Sequence, residues 1–324
     1  MITIVSCGHK PDDERIYHRE IKSLISAGYS IQYFTRWDGE MDLSSGNLEH
    51  INLQRKEYSL RKYIQFIVQN IEHTKILHIH EFDLLPLAKK IKQKYNSPII
   101  YDVHDTLRAM WDTFSTKKGG IKKLINSSLS AFEKYHLKFV DEVILANQPF
   151  EKTIYKKRGL PETLVENFPI LDKLNTVKSR RENPIILYQG QVSSDRGLSQ
   201  LLDAFRLVLD FDFNTKLQII GPPRSEDYTK TLLQKVSHLG CENNVKIIED
   251  VPHDLIWRYM EKATIGVIPS LKFSRVMVDT PTKLFEYMAS GCVVVATDLP
   301  PVRHFLEGAG EIVIPESPKE MADA

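Results

Sequence analysis

Two segments in the second half of this chain combine glycine, cation and carboxylate in a way that suits an anionic, hydroxyl-rich ligand. The first, Tyr188-Gln-Gly-Gln-Val-Ser-Ser-Asp-Arg-Gly-Leu198, follows an apolar run and opens a helical pattern. Gly190 allows close backbone approach, and Arg196 lies at the helix start, where free N–H groups and the dipole favour anions. A phosphate held there gains a charge-assisted contact from the guanidinium. The second, Thr280-Pro-Thr-Lys-Leu-Phe-Glu-Tyr-Met-Ala-Ser-Gly291, puts Pro281 and Thr282 at another helix start with Lys283 adding positive charge. Glu286 stands among Leu284, Phe285, Met288 and Ala289. A carboxylate in that setting needs partners if buried, and the vicinal hydroxyls of a sugar suit it.

A rival chemistry is metal-dependent hydrolysis. His78 and His80 alternate along one strand-like run and so share a face, as do Asp102 and His104 on another. Two histidines and a carboxylate on neighbouring strands are zinc ligands in many hydrolases. Against that, His78 lies within a run that includes Ile76, Leu77 and Ile79, which reads as a core histidine. A hydrolase using His78, His80 and His104 stands as the alternative.

The elements that position these residues alternate from end to end. Strand-like runs at 2–6, 31–35, 76–80, 99–103 and 143–146 precede a polar connector at 172–183. A second series follows at 185–188, 217–220, 245–248, 265–268, 293–296 and 311–314. Helical patterns fall between, among them 14–27, 60–71, 84–95, 121–139, 198–209 and 282–289. Strands apolar on both faces and separated by helices predict parallel sheets wound on both sides. The expected architecture is α/β with two doubly wound, Rossmann-like domains, residues 1–171 and 184–324. Ligands in such sheets sit beyond the carboxyl ends of the strands.

Composition excludes other classes. The 324 residues carry 43 Lys+Arg against 42 Asp+Glu, with 42% hydrophobic content, which rules out a disordered chain. No apolar run approaches the length needed to cross a bilayer, and no signal-peptide pattern opens the chain. Three isolated cysteines, Cys7, Cys241 and Cys292, lack metal spacing and fit a reducing cytoplasm. The near-zero charge hides a polarity: residues 50–140 hold 16 basic against 8 acidic residues. Lys117, Lys118, Lys122 and Lys123 flank an apolar stripe of Ile121, Leu124, Ile125, Leu129, Phe132 and Phe139. That basic amphipathic pattern suits an anionic membrane surface. Nucleic acid is not expected, because no aromatic-interleaved basic groove accompanies the charge.

Taken together, the two glycine-and-cation segments resemble the family 4 (group 1) glycosyltransferases, retaining enzymes of the GT-B fold with two facing Rossmann-like domains. In that family a glycine, a short loop and a Lys/Arg-Gly pair hold the donor pyrophosphate, which maps onto Gly190 and Arg196. The family's Pro-x-Lys-x-x-Glu-x-x-Ala-x-Gly segment matches Pro281, Lys283, Glu286, Ala289 and Gly291, so Glu286 inherits a role on the donor ribose. Gly221 and Val251 resemble the nucleotide-pocket glycine and the base-lining loop, and Thr282 and Leu284 flank the matched lysine. The N-terminal half matches in order through Asp13-Glu-Arg-Ile16, His80-Glu-Phe-Asp83, Tyr101-Asp-Val-His-Asp105 and Asn167-Phe-Pro169. The resemblance implies His104 near the transferred hexose and Asp13, Arg15 and Asp105 on the acceptor side, with Arg196 and Lys283 assisting departure of the diphosphate. It implies a nucleotide-diphosphate sugar as substrate, no metal or other cofactor, and a saccharide or lipid-linked acceptor. A GT-B protein that binds nucleotide without catalysis is a further alternative. Many members carry a second glutamate eight positions before the first; here Val278 stands there with Asp279 beside it. Members also finish with a helix crossing back onto the first domain, and that closing helix is expected to be missing here.

Overall fold

Runs such as Ile2–Val5 and Val293–Thr297 are apolar throughout because helices cover both faces of the sheets they enter. The computed structural model describes residues 1–71, 74–104, 119–149, 153–169, 184–249, 251, 253–273, 277 and 280–324. The expected connector and Asp105, Lys117, Lys118, Val278 and Asp279 lie outside the described residues. The chain divides into two units, Met1–Asn167 and Phe168–Ala324.

In the N-terminal unit the strands are β1 (Ile2–Val5), β2 (Ile31–Arg36), β3 (Leu48–Leu53), β4 (Ile76–Ile79), β5 (Ile99–Val103), β6 (Glu142–Leu145) and β7 (Glu162–Leu164). They form one parallel sheet in the order β3-β2-β1-β4-β5-β6-β7. Strand order reverses direction between β1 and β4, which makes the loops after those two strands the topological switch point. The sequence pattern did not indicate β3 or β7. Both are edge strands with one flank open to water, so polar residues such as Glu49 and Thr163 interrupt the apolar run.

The helix expected over 14–27 is wound in two ways. Its first half, Glu14–Ile21, is a wide π-type helix, followed by regular α-helix over Lys22–Ser26. The Asp13 carbonyl accepts from both Tyr17 and His18 N–H groups, at 2.9 and 3.2 Å, which widens the turn. The Asp13 carboxylate caps it, accepting from the N–H groups of Arg15 and Ile16 at 2.9 and 3.0 Å. This winding buries Arg15, Ile16 and Ile21 against the sheet.

The C-terminal unit repeats the plan with β8 (Ile185–Gln189), β9 (Lys216–Ile220), β10 (Val245–Ile248), β11 (Ile265–Ile268), β12 (Val293–Thr297) and β13 (Glu311–Val313). Their parallel order is β10-β9-β8-β11-β12-β13, with the switch point between β8 and β11. One core cluster, including Leu198, Leu202, Phe205 and Leu232, covers one face; another, including Trp257, Met260, Leu284 and Val302, covers the other.

A single side chain fixes the helix Thr282–Ala289 against the end of β8. Tyr287 is fully buried, and its hydroxyl accepts the Gln189 N–H at 2.8 Å. Tyr287→Phe leaves that buried N–H without its partner, at a cost of about 1–3 kcal/mol. At roughly 2–4 °C per kcal/mol for a unit of this size, calorimetry should show the C-terminal unit melting several degrees lower. An unchanged transition would mean that the bond carries no weight.

Candidate functional site

At the end of β8 the backbone turns through Gly190, whose φ of +131° lies where side chains are rarely accommodated. A Cβ there would come 2.5 Å from Lys283 Nζ. Gly221, after β9, is closed from the other side: a Cβ on it would lie 2.1 Å from the Gly190 carbonyl oxygen. Two bare backbones therefore meet beneath the lysine. Beyond Gly190 the loop makes a short 3₁₀ turn, Ser194–Arg196, before the helix Leu198–Phe211 begins. Arg196 thus sits two residues ahead of the helix's first residue, just before its cap Gly197, rather than inside its first turn.

Lys283 is 9% exposed, with Nζ 4.2 Å from the centre of the Tyr188 ring. Burial and then the neighbouring Arg196 guanidinium push its ammonium down from 10.5 to about 7, with Glu286 opposing. Arg196 itself is three-quarters covered, and among the described residues Asp195, at 3.8 Å, is its ion-pair partner. Two cations thus share a strand-end cradle with Asp195 and the buried Glu286, which is 5% exposed. The repulsion between the cations, one cause of the depressed lysine value, favours an added anion.

The other residues expected on the donor side divide. Pro281 caps the helix and Thr282 is its exposed first residue, both beside the lysine. Leu284 is a correction: its side chain is fully buried in the core and its N–H is bonded to the Pro281 carbonyl at 2.9 Å. Val251 likewise packs against that core cluster. Asp279 lies outside the described residues.

In the N-terminal unit the residues expected at the acceptor side form a buried polar network. Arg15 is 6% exposed, and its guanidinium holds the Asp102 carboxylate through two nitrogens, at 2.9–3.3 Å. It also reaches Glu20 Oε1 at 3.0 Å, the Val165 carbonyl at 2.6 Å and Asn167 Oδ1 at 3.0 Å. Of the two residues expected on the acceptor side, Asp13 is a helix cap and Arg15 is engaged by internal partners. Asp105 lies outside the described residues.

His104 stands at the end of β5 with 17% of its side chain exposed, and its Nε2 is 2.9 Å from His80 Nδ1. Burial, with His9 and Arg15 nearby, holds its pKa below the usual histidine value despite Asp102. His78 and His80 do share a face, their rings 4.3 Å apart. The hydrolase reading grouped them with Asp102 and His104; His104 bonds the far nitrogen of His80, while Glu20 and Asp102 are the side chains that converge on the Nε2 side.

Sequence reasoning missed three participants. Glu20 lies one helical turn after the buried Ile16, so a carboxylate on the apolar stripe was the available signal. Burial and the Asp102 charge push its carboxyl up to about 9. Glu81 organises the loop after β1, accepting from Ser6 Oγ at 2.7 Å and from the Cys7 and Gly8 N–H groups at 3.0 and 2.9 Å. It also bonds His9 Nδ1 at 2.8 Å, which places His9 beside His104 with ring centres 4.7 Å apart. Burial alone would raise the Glu81 carboxyl, but His9, Ser6 and Gly8 hold it below its usual value.

Comparison with known proteins follows this geometry. Residues 183–324 match the family model described as glycosyl transferases group 1. No curated protein sequence matches the chain. Among solved structures, sucrose-phosphate synthase from Thermosynechococcus elongatus superposes with a TM-score of 0.76 at 18% identity, covering 100% of this chain and 88% of that one. Anabaena Alr3699/HepE, in complex with UDP and glucose, gives a TM-score of 0.71 at 16% identity, covering 99% and 88%. An alpha,alpha-trehalose-phosphate synthase (UDP-forming) from Burkholderia xenovorans, in complex with glucose-6-phosphate, gives 0.67 at 13%, covering 100% and 91%. Residues 183–324 thus carry the sequence of the group 1 glycosyl transferases, on a chain whose two Rossmann-like domains have the GT-B fold.

Proposed function

We propose that the protein is a retaining glycosyltransferase that moves a hexose from a nucleotide-diphosphate sugar to a hydroxyl acceptor. The observation that carries this reading is the pair Lys283 and Arg196, two cations close enough to depress the lysine and held against a backbone cradle at Gly190. A diphosphate would relieve the repulsion between them. The family match over the same unit and the UDP bound to Anabaena HepE point to the same donor class.

In this reading the diphosphate lies over Gly190, with Arg196, Lys283 and the N-terminus of Thr282–Ala289 stabilising the charge that grows as the glycosidic bond breaks. Protein charge does the work that a metal does elsewhere, so no divalent ion enters the transfer. Glu286 takes the ribose hydroxyls, and His104 in the N-terminal unit takes the hexose. Retention follows from attack on the face the diphosphate leaves, with a phosphate oxygen accepting the acceptor proton, so no protein nucleophile is assigned. Removal of one charge-assisted contact costs about 1.5–3 kcal/mol. Arg196→Ala is therefore expected to weaken UDP, GDP or ADP binding by roughly 10–100-fold in thermal-shift titrations. Released diphosphate from a donor panel, with no divalent ion added, separates an enzyme from a nucleotide-binding protein. Unchanged affinity in the variant would remove the phosphate assignment.

Lys283 makes binding pH-dependent. Its ligand-free value near 7 leaves it largely neutral at pH 8, and a bound diphosphate favours the ammonium. Binding at pH 8 should take up nearly one proton, and affinity should fall by up to about tenfold per pH unit above 7. Calorimetry in two buffers of different ionisation heat measures the uptake, and Lys283→Met should abolish it. The same variant should melt higher without ligand. The folded-state value lies below the unfolded 10.5, so the lysine lowers stability most at pH 7 and below and less as pH rises towards 10.5.

The acceptor is assigned to the lipid-linked or envelope and capsular polysaccharide class, with the protein in the cytoplasm and held peripherally at the membrane. No helix among the described residues is long and apolar enough to cross a membrane. The helix Gly119–His136 supports surface attachment: Leu124 is 69% exposed and Lys123 lies beside it, whereas Phe132 packs against the core. Each lysine near an anionic surface contributes about 1 kcal/mol. Changing Lys117, Lys118, Lys122 and Lys123 to glutamine should weaken co-sedimentation with phosphatidylglycerol-containing liposomes at least about tenfold. Equal binding would sink the membrane assignment.

A further inference from the structure

We infer that Glu20, His78, His80 and Asp102 form a closed, structural binding site for a divalent transition metal of the zinc class in the N-terminal unit. The site does not rest on the transfer reading, which needs no metal and lies on other residues.

The geometry is that of a metal cage. One ligand atom from each of the four side chains lies within 4.8 Å of every other. The individual separations include His78 Nε2 to Asp102 Oδ2 at 3.6 Å, His80 Nε2 to Glu20 Oε2 at 3.6 Å and His78 Nε2 to Glu20 Oε2 at 4.0 Å. A tetrahedral zinc with bonds of ~2.0–2.1 Å sets its ligands about 3.3 Å apart, so the two 3.6 Å pairs close by roughly 0.3 Å and the widest by up to about 1.5 Å, within reach of small side-chain rotations.

The buried atoms point to a ligand independently of that spacing. His78 and His80 are 5% and 2% exposed, yet the Nε2 of each has no hydrogen-bond partner, and neither does Glu20 Oε2. Buried imidazole nitrogens are ordinarily bonded, and these two are aimed at two carboxylates beyond hydrogen-bond length. A cation between them satisfies all of these atoms at once. Two imidazoles and two carboxylates are a borderline donor set that suits zinc rather than calcium or magnesium. The supporting contacts are present too. Arg15 holds Asp102 and pairs with Glu20 Oε1, so both carboxylates are fixed from behind. With Nε2 of His80 on the metal, its Nδ1 carries the proton and donates to His104 Nε2 at 2.9 Å. That bond sets the tautomer of His104.

Two features separate this site from a hydrolase centre. All four ligands come from the protein, leaving no open position for water, and Asp102 is fully buried. Glu20 reaches the cluster because the π-type turn rotates its carboxylate towards the sheet, and such turns recur at functional positions.

The test uses the full chain, without a histidine tag, stripped by chelation and desalted. Co²⁺ titration should give one equivalent bound, with visible d–d absorption of four-coordinate intensity that Zn²⁺ displaces, and Zn²⁺ should raise the melting temperature. Glu20→Gln and His78→Ala should each weaken Zn²⁺ binding at least about tenfold in chelator competition. Circular dichroism and the shift induced by UDP confirm that each variant is folded. Should a variant fail to fold, the wild-type titration decides alone. No stoichiometric Co²⁺ uptake, a spectrum of octahedral intensity, or folded variants that bind Zn²⁺ as tightly as wild type would overturn the site. UDP binding that survives stripping leaves the donor reading intact whatever the metal result.

Discussion

A lysine ammonium sealed under a strand-end loop beside an arginine is unfavourable, and much of the C-terminal unit is arranged around it. Moving Lys283 from 10.5 to about 7 costs about 1.4 kcal/mol per unit, so the ligand-free protein carries that strain until an anion arrives. Packing holds it in place. The Tyr188 ring lies over the ammonium, Gly190 leaves room for it, and Gly221 lets the next loop close on Gly190 from behind. Tyr287 ties the lysine's own helix to β8, which fixes the backbone from which the charge is presented. Stability is given up locally to keep a cation dry where a diphosphate would meet it.

The N-terminal unit solves a different problem with the same plan. Its switch-point region holds two carboxylates, three histidines and one guanidinium in close contact. Arg15 neutralises Asp102, which stays ionised: burial raises its carboxyl, but His78, His104, His80 and Arg15 together hold it well below the usual range. Because Arg15 also reaches Val165 and Asn167, it ties the first helix to the last residues of the unit. Glu81 plays the corresponding part at the loop after β1, where its bonds to Ser6, Cys7, Gly8 and His9 fix the chain direction.

The sequence revealed the plan better than the contacts. Buried strands such as Ile2–Val5 and Ile265–Ile268 announce themselves, because both faces must be apolar when helices cover the sheet. Edge strands β3 and β7 do not, since water on one flank permits polar residues. Gly190, Arg196, Lys283 and Glu286 were legible as a group because packing alone does not call for glycine, cation and carboxylate at this spacing. Leu284 and Val251, by contrast, direct their side chains to the core, which residue type at those positions did not distinguish from lining the cradle. Asp13 and Arg15 looked available because a charged loop residue is ordinarily solvated. Only the π-type turn, a backbone detail without a sequence period, carries Arg15 inward.

The two units together separate what a fold supplies from what its side chains supply. Each has the same strand order about its switch point, and each gathers charged groups from its central strands and the segments that follow them. In the C-terminal unit those groups are Arg196 and Lys283, two cations that repel each other. In the N-terminal unit they are Glu20 and Asp102 with His78 and His80, and the imbalance is a surplus of lone pairs. The backbone geometry therefore determines where a ligand can sit but not its charge. That choice rests on a few side chains whose burial makes them unable to satisfy themselves, so the ligand is read most directly from what each buried group lacks.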